Sequence, residues 1–343
     1  MPQFYLRNFA TRDGQVLLVD RDVLTRAFAT AVRKACAEVG FYRLNPDTFV
    51  VEDESQRPDP ELVEQHLSQF ERAAAPAVYK LVKTGLNDIN QDDWYHLINF
   101  IALQSVRGNR FREDIEAIGT QALRTYLGEH ITDEQIGSWL EERGDPVTPA
   151  SISGFRETLV GPKRPRLIPP KEYLIQESIK LALGQLGERL ADDMNWSIIE
   201  ADRASVLTSD EPVCWWAPGD GPVGYGSARV VWMPVSRRRI LQLRDNTADP
   251  ESLGLSAPNT PAGRDALVRF VNAQVATQSH RWIVHHPDDR PLEDIVVGAR
   301  TAWSDELVSV EEDGRTRREL SIHRRLPVSG EPGVVTPRRT PRG

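Results

Sequence analysis

Cysteine and long apolar runs are the features that this 343-residue sequence has least of. Its two cysteines, Cys36 and Cys214, lie far apart, which favours two free thiols in a reducing compartment over a disulfide. No apolar run approaches the roughly 20 residues that span a membrane. The first residues do not combine a basic segment with an apolar core, as a secretory signal does. These absences predict a cytoplasmic protein with no membrane partner.

Sequence motifs that identify a reaction are also missing. There is no Gly-rich phosphate loop opening a helix, no GxSxG and no HExxH. The histidines have no spacing typical of a zinc site, and the adjacent His285 and His286 would point to opposite faces of a strand. The sequence therefore predicts neither a metal site nor a cofactor, and it does not specify a reaction.

Charge is distributed unevenly along the chain. The net charge of −8 argues against a broad nucleic-acid surface. Residues 311–343, in contrast, hold eight arginines and five acidic residues among many prolines and glycines. This composition predicts a largely disordered basic tail over residues 306–343, because such a segment buries too little apolar area to offset its ordering entropy. A basic arm that contacts a protein partner or nucleic acid is the alternative, and it stays open.

Hydrophobic periodicity predicts an α+β fold in a single domain over residues 1–305. The helical part covers about residues 1–195 and contains a small β element at "GQVLLVDRD". The part from about 196 to 305 consists of short β-branched and aromatic segments separated by turn residues. That pattern predicts an antiparallel sheet with flanking helices in the C-terminal half.

The opening stretch, "MPQFYLRNFA", interleaves apolar and polar side chains from the first residue. Phe4, Leu6 and Phe9 alternate with polar groups that need partners when they are buried. We therefore expect this stretch to be a packed structural element and not a floppy terminus.

Five further local predictions concern the helical part. A helical stretch within residues 21–40 is followed by a strand at residues 41–44. Pro76 should kink or divide the helix that begins near Pro60. Residues 148–173 are interpreted as a Pro-rich crossing, and residues 171–194 as a long helix.

The strongest helix prediction runs from Asn90 to Gly128, with Asp93 supporting the N-terminal cap and Thr132 capping the helix that follows. At about 100° per residue, Gln104 and Gly108 fall on the apolar arc of this helix.

Arg112 lies near the edge of the same arc and Arg107 on its flank. A guanidinium on an apolar face must meet carboxylates, carbonyls or a bound anion. Two interpretations stay open: a structural network that ties the helix to a neighbour, and a pocket for an anionic ligand. Gly108 favours a close approach by another group, because glycine within a helix otherwise costs stability.

The segment "LTSDEPV" provides a second polar feature. Ser209 and Asp210 are typical turn residues, since both side chains can bond the nearby backbone. The alternative is functional: Asp210 would be a carboxylate presented at a sheet edge, as an arginine partner or as an acid/base.

Four stretches of the chain resemble an uncharacterised bacterial family known as domain of unknown function 4238. They are "PQFYLRNFA", "FIALQSVRGNRFR", "ASVLTSDEPV" and "WMPVSRRRILQL", and the resemblance covers most of residues 1 to about 290. The family has no activity to carry over. What the resemblance implies is which polar residues recur and are candidate ligand-binding residues: Gln3, Arg7, Gln104, Arg107, Arg112, Ser209 and Asp210.

The beginning of the sequence departs from the family pattern. The family usually opens with His-Tyr-Val-Pro-Gln, whereas this sequence has Met1 where the Val would be. Two interpretations follow. Either the chain continues upstream and includes that histidine, or it lacks the histidine and any chemistry that depends on it.

Three functions remain open from the residues. In a binding or regulatory module, Arg7, Arg107 and Arg112 would form a cationic pocket for a small anionic ligand, with Asp210 fixing their geometry. In a hydrolase of phosphoesters or nucleic acid, Asp210 would be the catalytic acid/base or a metal ligand. In a purely structural role, every arginine would already be paired.

Overall fold

The computed structural model describes residues 1–36, 40–48, 53, 55, 57–160, 169–219, 223–249, 253, 255, 260–299, 301–312 and 315–327. These residues confirm the α+β class, with helices dominating the N-terminal half and antiparallel strands concentrated in the C-terminal half. The chain divides into two compact units, one built on Met1–Phe111 and Ile175–Thr301, the other on Arg112–Leu174 and Ala302–Leu326. The predicted single domain over residues 1–305 stays a prediction.

The helices and strands of the described residues have the following bounds. The helices are α1 (Gln3–Leu6), α2 (Leu62–Thr84), α3 (Gln91–Val106), α4 (Asn109–His130), α5 (Asp133–Glu142), α6 (Pro149–Val160), α7 (Lys171–Leu181), α8 (Gly187–Asp192) and α9 (Pro261–Gln278). The strands are β1 (Gln15–Asp20), β2 (Ala27–Ala31), β3 (Met194–Glu200), β4 (Thr208–Ser209), β5 (Cys214–Trp216), β6 (Val230–Ser236), β7 (Arg239–Asp245), β8 (Trp282–His285), β9 (Thr301–Glu312) and β10 (Arg315–Pro327). No described helix has the length and apolar character needed to cross a membrane.

The first unit contains two four-stranded antiparallel sheets. Their strand orders are β2-β1-β8-β4 and β3-β7-β6-β5. All of β6, "VVWMPVS", is buried, which explains its continuous apolar sequence. In the other sheet β1 pairs with β8, with Leu17 opposite His285. The first two strands, β1 and β2, therefore belong to the same sheet as β4 and β8 from the C-terminal half.

The opening stretch is packed into the core of this unit, as predicted. It forms α1 and a 3₁₀ turn at Arg7–Phe9, and Tyr5, Leu6 and Phe9 are fully buried. The Tyr5 hydroxyl donates to the Pro234 carbonyl and bonds the Thr208 hydroxyl at 2.7 Å. Burial raises the pKa of Tyr5, so the phenol stays protonated.

Two predictions near the N-terminus are wrong. Within residues 21–40, the helical stretch is replaced by β2, which pairs with β1 from Gln15 opposite Ala31 onwards. Pairing with a neighbouring strand here overrides the helix propensity of the alanines. Residues 41–44 form a turn and irregular backbone instead of a strand.

Pro76 lies inside a continuous α2, so it does not divide that helix.

The two long helices of the prediction are both interrupted. The first ends as α3 at Val106, and α4 begins at Asn109. The second gives way to a π-helical turn at Ala182–Leu186, and its last predicted residue, Met194, begins β3. A π turn changes the angular position of the residues after it. The caps at Asn90 and Thr132 are confirmed as capping boxes.

The second unit has a small core where α5 and α6 meet. Ile131, Ile136 and Leu140 are buried against apolar side chains of α6. The Pro-rich crossing predicted over residues 148–173 therefore contains a helix. Thr148 and Ser151 exchange backbone and side-chain hydrogen bonds with Pro149 between them at the first helical position, which starts α6.

The predicted disordered tail, residues 306–343, differs from the structure up to Pro327. Residues 301–312 and 315–327 form β9 and β10, which pair as a two-stranded sheet. The alternating pattern of both segments flanks an Asp-Gly dipeptide, the sequence of a hairpin turn, and this local signal outweighs the basic composition. The remainder of the predicted tail, residues 328–343, lies outside the described residues.

Candidate functional site

One cavity in the first unit collects most of the polar residues that the sequence singles out. Its volume is about 650 Å³. Gln3 on α1, Gln104 and Arg107 at the end of α3, and Asp210 after β4 all line it. The start of β8 contributes Trp282. Residues from distant parts of the chain thus meet around one space.

Asp210 fixes the start of β8 through backbone hydrogen bonds. Its carboxylate accepts from the N–H groups of His280 at 3.0 Å, Arg281 at 2.8 Å and Trp282 at 2.9 Å. Burial raises the pKa of Asp210, while these three donors act in the opposite direction. Among the described residues, backbone amides and not an arginine fork bond this carboxylate. The described contacts therefore do not include the expected pairing of Asp210 with an arginine, although Asp210 and Arg107 line the same cavity.

Arg107 pairs with Glu71 on α2 instead. The guanidinium donates Nη1–H to Glu71 and Nε–H to the Tyr42 hydroxyl at 3.3 Å, and it lies 5.2 Å from the centroid of the Tyr42 ring. Burial by itself lowers the pKa of Arg107, but Tyr42 and Glu71 raise it above its ordinary value. Arg107 thus ties α3 to α2, which is the structural-network interpretation for this residue.

Gln104 is a buried polar residue of the cavity whose side chain makes no hydrogen bond among the described contacts. The residue is only 5% exposed, yet it lies on the cavity wall. Among the described residues, no acceptor lies within hydrogen-bonding reach of its buried Nε2. An unsatisfied buried amide costs roughly 1–3 kcal/mol, so its presence in a folded core requires an explanation.

Gly108 lies where α3 and α4 separate, and the space it leaves is filled. A Cβ on Gly108 would lie 2.3 Å from Oε1 of Glu211. That carboxylate accepts from the backbone N–H of Arg110 at 2.8 Å, in the first turn of α4, where helical N–H groups lack partners. The close approach expected at Gly108 is confirmed, and the approaching group is a carboxylate that caps α4.

Replacing Gly108 with alanine is expected to displace the Glu211 carboxylate and lower the free energy of unfolding by about 1 kcal/mol, the usual effect of losing a helix cap. Thermal unfolding of both proteins measures it. Gly154→Ala is the matched control, because nothing lies within 4 Å of a Cβ at that position. Equal stability of the Gly108→Ala and Gly154→Ala proteins would contradict this account of the cap.

Two further arginines line the cavity at exposed positions. Neither Arg33 nor Arg281 forms an ion pair within the described part of the chain. The Arg281 guanidinium lies 4.6 Å from the centroid of the Trp282 ring. Sequence reasoning missed both arginines and also Glu71, since exposed arginines and helical glutamates carry no distinguishing pattern. The one sequence signal that was available is the pair of Arg281 and Trp282 at the start of β8.

The remaining predicted site residues lie elsewhere or serve the backbone. Arg7 is exposed and is not among the residues lining the cavity. Arg112 belongs to the second unit. Ser209 is buried, and its hydroxyl donates to the Glu211 carbonyl at 2.7 Å, so it shapes the turn that presents Asp210. The turn chemistry predicted for "LTSDEPV" is thereby confirmed for Ser209.

The chemistry available in the cavity suits binding. Both cysteines are free, as predicted, and Cys36 lines the cavity. Burial, and then the charge of Asp210, raise the pKa of the Cys36 thiol, so it is not a thiolate nucleophile at neutral pH. The described residues contain no cluster of three or more His, Cys, Asp and Glu side chains that could hold a metal ion.

A comparison with protein families gives one match. The family model described as "Protein of unknown function (DUF4238)" matches residues 1–289, which include every residue that lines the cavity. No curated protein and no solved structure matches the chain.

Proposed function

The chain belongs to the DUF4238 family, and from that premise we propose that it is a cytoplasmic ligand-binding module that holds a small organic anion in the cavity around Gln104. The family has no assigned activity, so the function must be argued from the site. Free cysteines support the reducing compartment. The cavity is the evidence for ligand binding.

The observation that carries the proposal is the Gln104 carboxamide. It lies on the cavity wall at 5% exposure, and its Nε2 has no acceptor among the described residues. A ligand oxygen or nitrogen would supply that acceptor. Such a group offsets the desolvation of the amide only when the ligand is bound, which is how a polar residue in a core contributes to recognition.

Size and charge indicate the kind of ligand. A volume of about 650 Å³ lies within the roughly 300–1,000 Å³ of small-molecule pockets and far exceeds the room that a simple inorganic ion needs. Arg33 and Arg281 bring two guanidinium groups without carboxylate partners in the described contacts. Of the four carboxylates that also line the cavity, Glu71, Asp210 and Glu211 are already bonded to protein groups, and Glu64 is exposed. Guanidinium groups favour phosphate and carboxylate, so the two arginines favour an organic anion.

A hydrolytic role for Asp210 receives less support. Three backbone N–H groups already bond its carboxylate, and taking up or releasing a proton there would weaken the bonds that position β8. Asp210 lines the cavity with a raised pKa and lies close enough to Cys36 to affect the pKa of that thiol, but no described hydrogen bond joins Asp210 to a nucleophile or a second acid. The hydrolase alternative therefore has less support than ligand binding.

The test compares stability with binding. Gln104→Met keeps the shape of the side chain and removes the unsatisfied amide, so it is expected to increase the free energy of unfolding of the ligand-free protein by roughly 1 kcal/mol. The same variant should bind more weakly any ligand whose polar group reaches the Gln104 amide. Millimolar ribose 5-phosphate or citrate should raise the melting temperature of the unsubstituted protein, and this rise should shrink in Arg281→Gln.

Arg7→Gln is the matched control, because Arg7 is exposed and outside the cavity lining. It should respond to both anions as the unsubstituted protein does. A Gln104→Met protein that is less stable than the unsubstituted chain, with no anion-dependent change in melting temperature in either, would refute the proposal.

A further inference from the structure

The Gln104 carboxamide presents a donor and an acceptor side by side. Neither its oxygen nor its nitrogen makes a hydrogen bond to the described residues. A complementary partner carries an acceptor next to a donor, and an edge of a nucleobase is such a group. Glutamine and asparagine amides recognise base edges in this bidentate manner.

Aromatic side chains line the same cavity. Phe41 and Tyr42 lie on one segment, with ring centroids 4.7 Å apart, and Trp282 lies at the start of β8. Aromatic rings of this kind stack on unpaired bases, and such stacking tolerates any base because every base has a π face. A planar heterocycle therefore suits these walls better than a flexible carboxylic acid does.

The Arg281 guanidinium is available to bind the anionic end of a ligand. Because its guanidinium lies against the Trp282 ring at 4.6 Å, the plane of the fork is oriented while its edge N–H groups remain available. Arg33 lines the same cavity, and the described residues give neither arginine an ion pair. A phosphate monoester carries a charge of about −1.5 to −2 near neutral pH, and these two guanidinium groups favour it, whereas the Glu64 carboxylate that lines the same cavity opposes it.

We infer that the cavity takes a nucleoside monophosphate, with the base edge at Gln104 and the phosphate at Arg281 and Arg33. The inference rests on the proposed function and narrows its ligand to one class. A mononucleotide joins the three features: a donor–acceptor edge, a planar ring and one phosphate. A nucleoside lacks the phosphate, and a sugar phosphate lacks the base.

The intact chain is titrated calorimetrically with AMP, GMP, UMP and CMP, and with adenosine and ribose 5-phosphate. At least one nucleotide should bind about tenfold or more tightly than ribose 5-phosphate. Gln104→Met should weaken that nucleotide by about fivefold or more and leave ribose 5-phosphate unchanged. Arg281→Gln should weaken the nucleotide and ribose 5-phosphate alike. Arg7→Gln should change neither, and thermal melts verify that each variant is folded.

The outcomes separate the two proposals. If ribose 5-phosphate or citrate binds as tightly as every nucleotide, the nucleotide class is overturned while a site for organic anions stands. If nucleotides bind but Gln104→Met affects them no more than Arg7→Gln does, the placement of the base is overturned. If none of these compounds binds the folded protein, both proposals fail.

Discussion

Replacing Tyr5 with alanine is expected to lower the free energy of unfolding by about 3–5 kcal/mol. The ring is fully buried between Phe9 and Phe100, with centroids 5.6 and 6.2 Å away. Its removal leaves a cavity and also unpairs the Thr208 hydroxyl and the Pro234 carbonyl. Urea unfolding followed by circular dichroism measures the change.

Two further variants serve as comparisons for Tyr5→Ala. Tyr5→Phe keeps the ring and removes the hydroxyl, so it should cost roughly 1–3 kcal/mol, the effect of leaving buried groups unbonded. Tyr95→Ala is the control for the loss of a tyrosine, since Tyr95 is 63% exposed, and it should change stability by less than about 0.5 kcal/mol. If Tyr5→Ala were as mild as Tyr95→Ala, the opening stretch would not be part of the core.

Replacing Asp265 with alanine is expected to cost about 3 kcal/mol or more, because three backbone donors lose one charged acceptor. The buried carboxylate on α9 accepts from the N–H groups of Asp202 at 3.0 Å, Arg203 at 3.1 Å and Ala204 at 3.0 Å. Asp265→Asn retains one acceptor oxygen and should cost less. Equal losses in the two variants would contradict the role of these bonds.

The stability that Asp265 provides should also depend on pH. Burial by itself raises the pKa of Asp265, but the three N–H donors outweigh it and hold the pKa below its ordinary value. A carboxyl with a lowered folded pKa contributes fully above its unfolded value of about 3.9 and loses that contribution as the pH falls through the folded value. The difference in unfolding free energy between the unsubstituted protein and Asp265→Asn should therefore be constant from pH 7 to about 5 and shrink below about pH 4. A constant difference at pH 3 would refute this assignment.

Local chemistry made part of the fold predictable. Asn90 and Thr132 were recognisable as caps because a capping box needs only residues three positions apart. The break between α3 and α4 was not, because the carboxylate that caps α4 comes from Glu211, about 100 residues away. Similarly, β2 owes its strand conformation to pairing with β1, and no property of its own sequence requires it.

The residues of the cavity were also predictable only in part. A polar residue on an apolar arc identified Gln104, and turn chemistry drew attention to Asp210; their role in ligand binding stays a prediction. Charge compensation required a carboxylate for Arg107 but could not say that Glu71 would provide it. Apart from the tryptophan that follows it, Arg281 has nothing in its sequence context that separates it from other exposed arginines, so only the folded chain brings it to the cavity.

The pairing of β1 with β8 has a consequence for biosynthesis. Leu17 and His285 are about 270 residues apart in the chain. At roughly 5–20 residues per second, a ribosome needs about 13–54 s to make the second strand after the first. During that interval the N-terminal hairpin has an open edge, and open strand edges invite pairing with other chains. The yield of folded protein therefore depends on how well this edge is shielded until the last strands emerge.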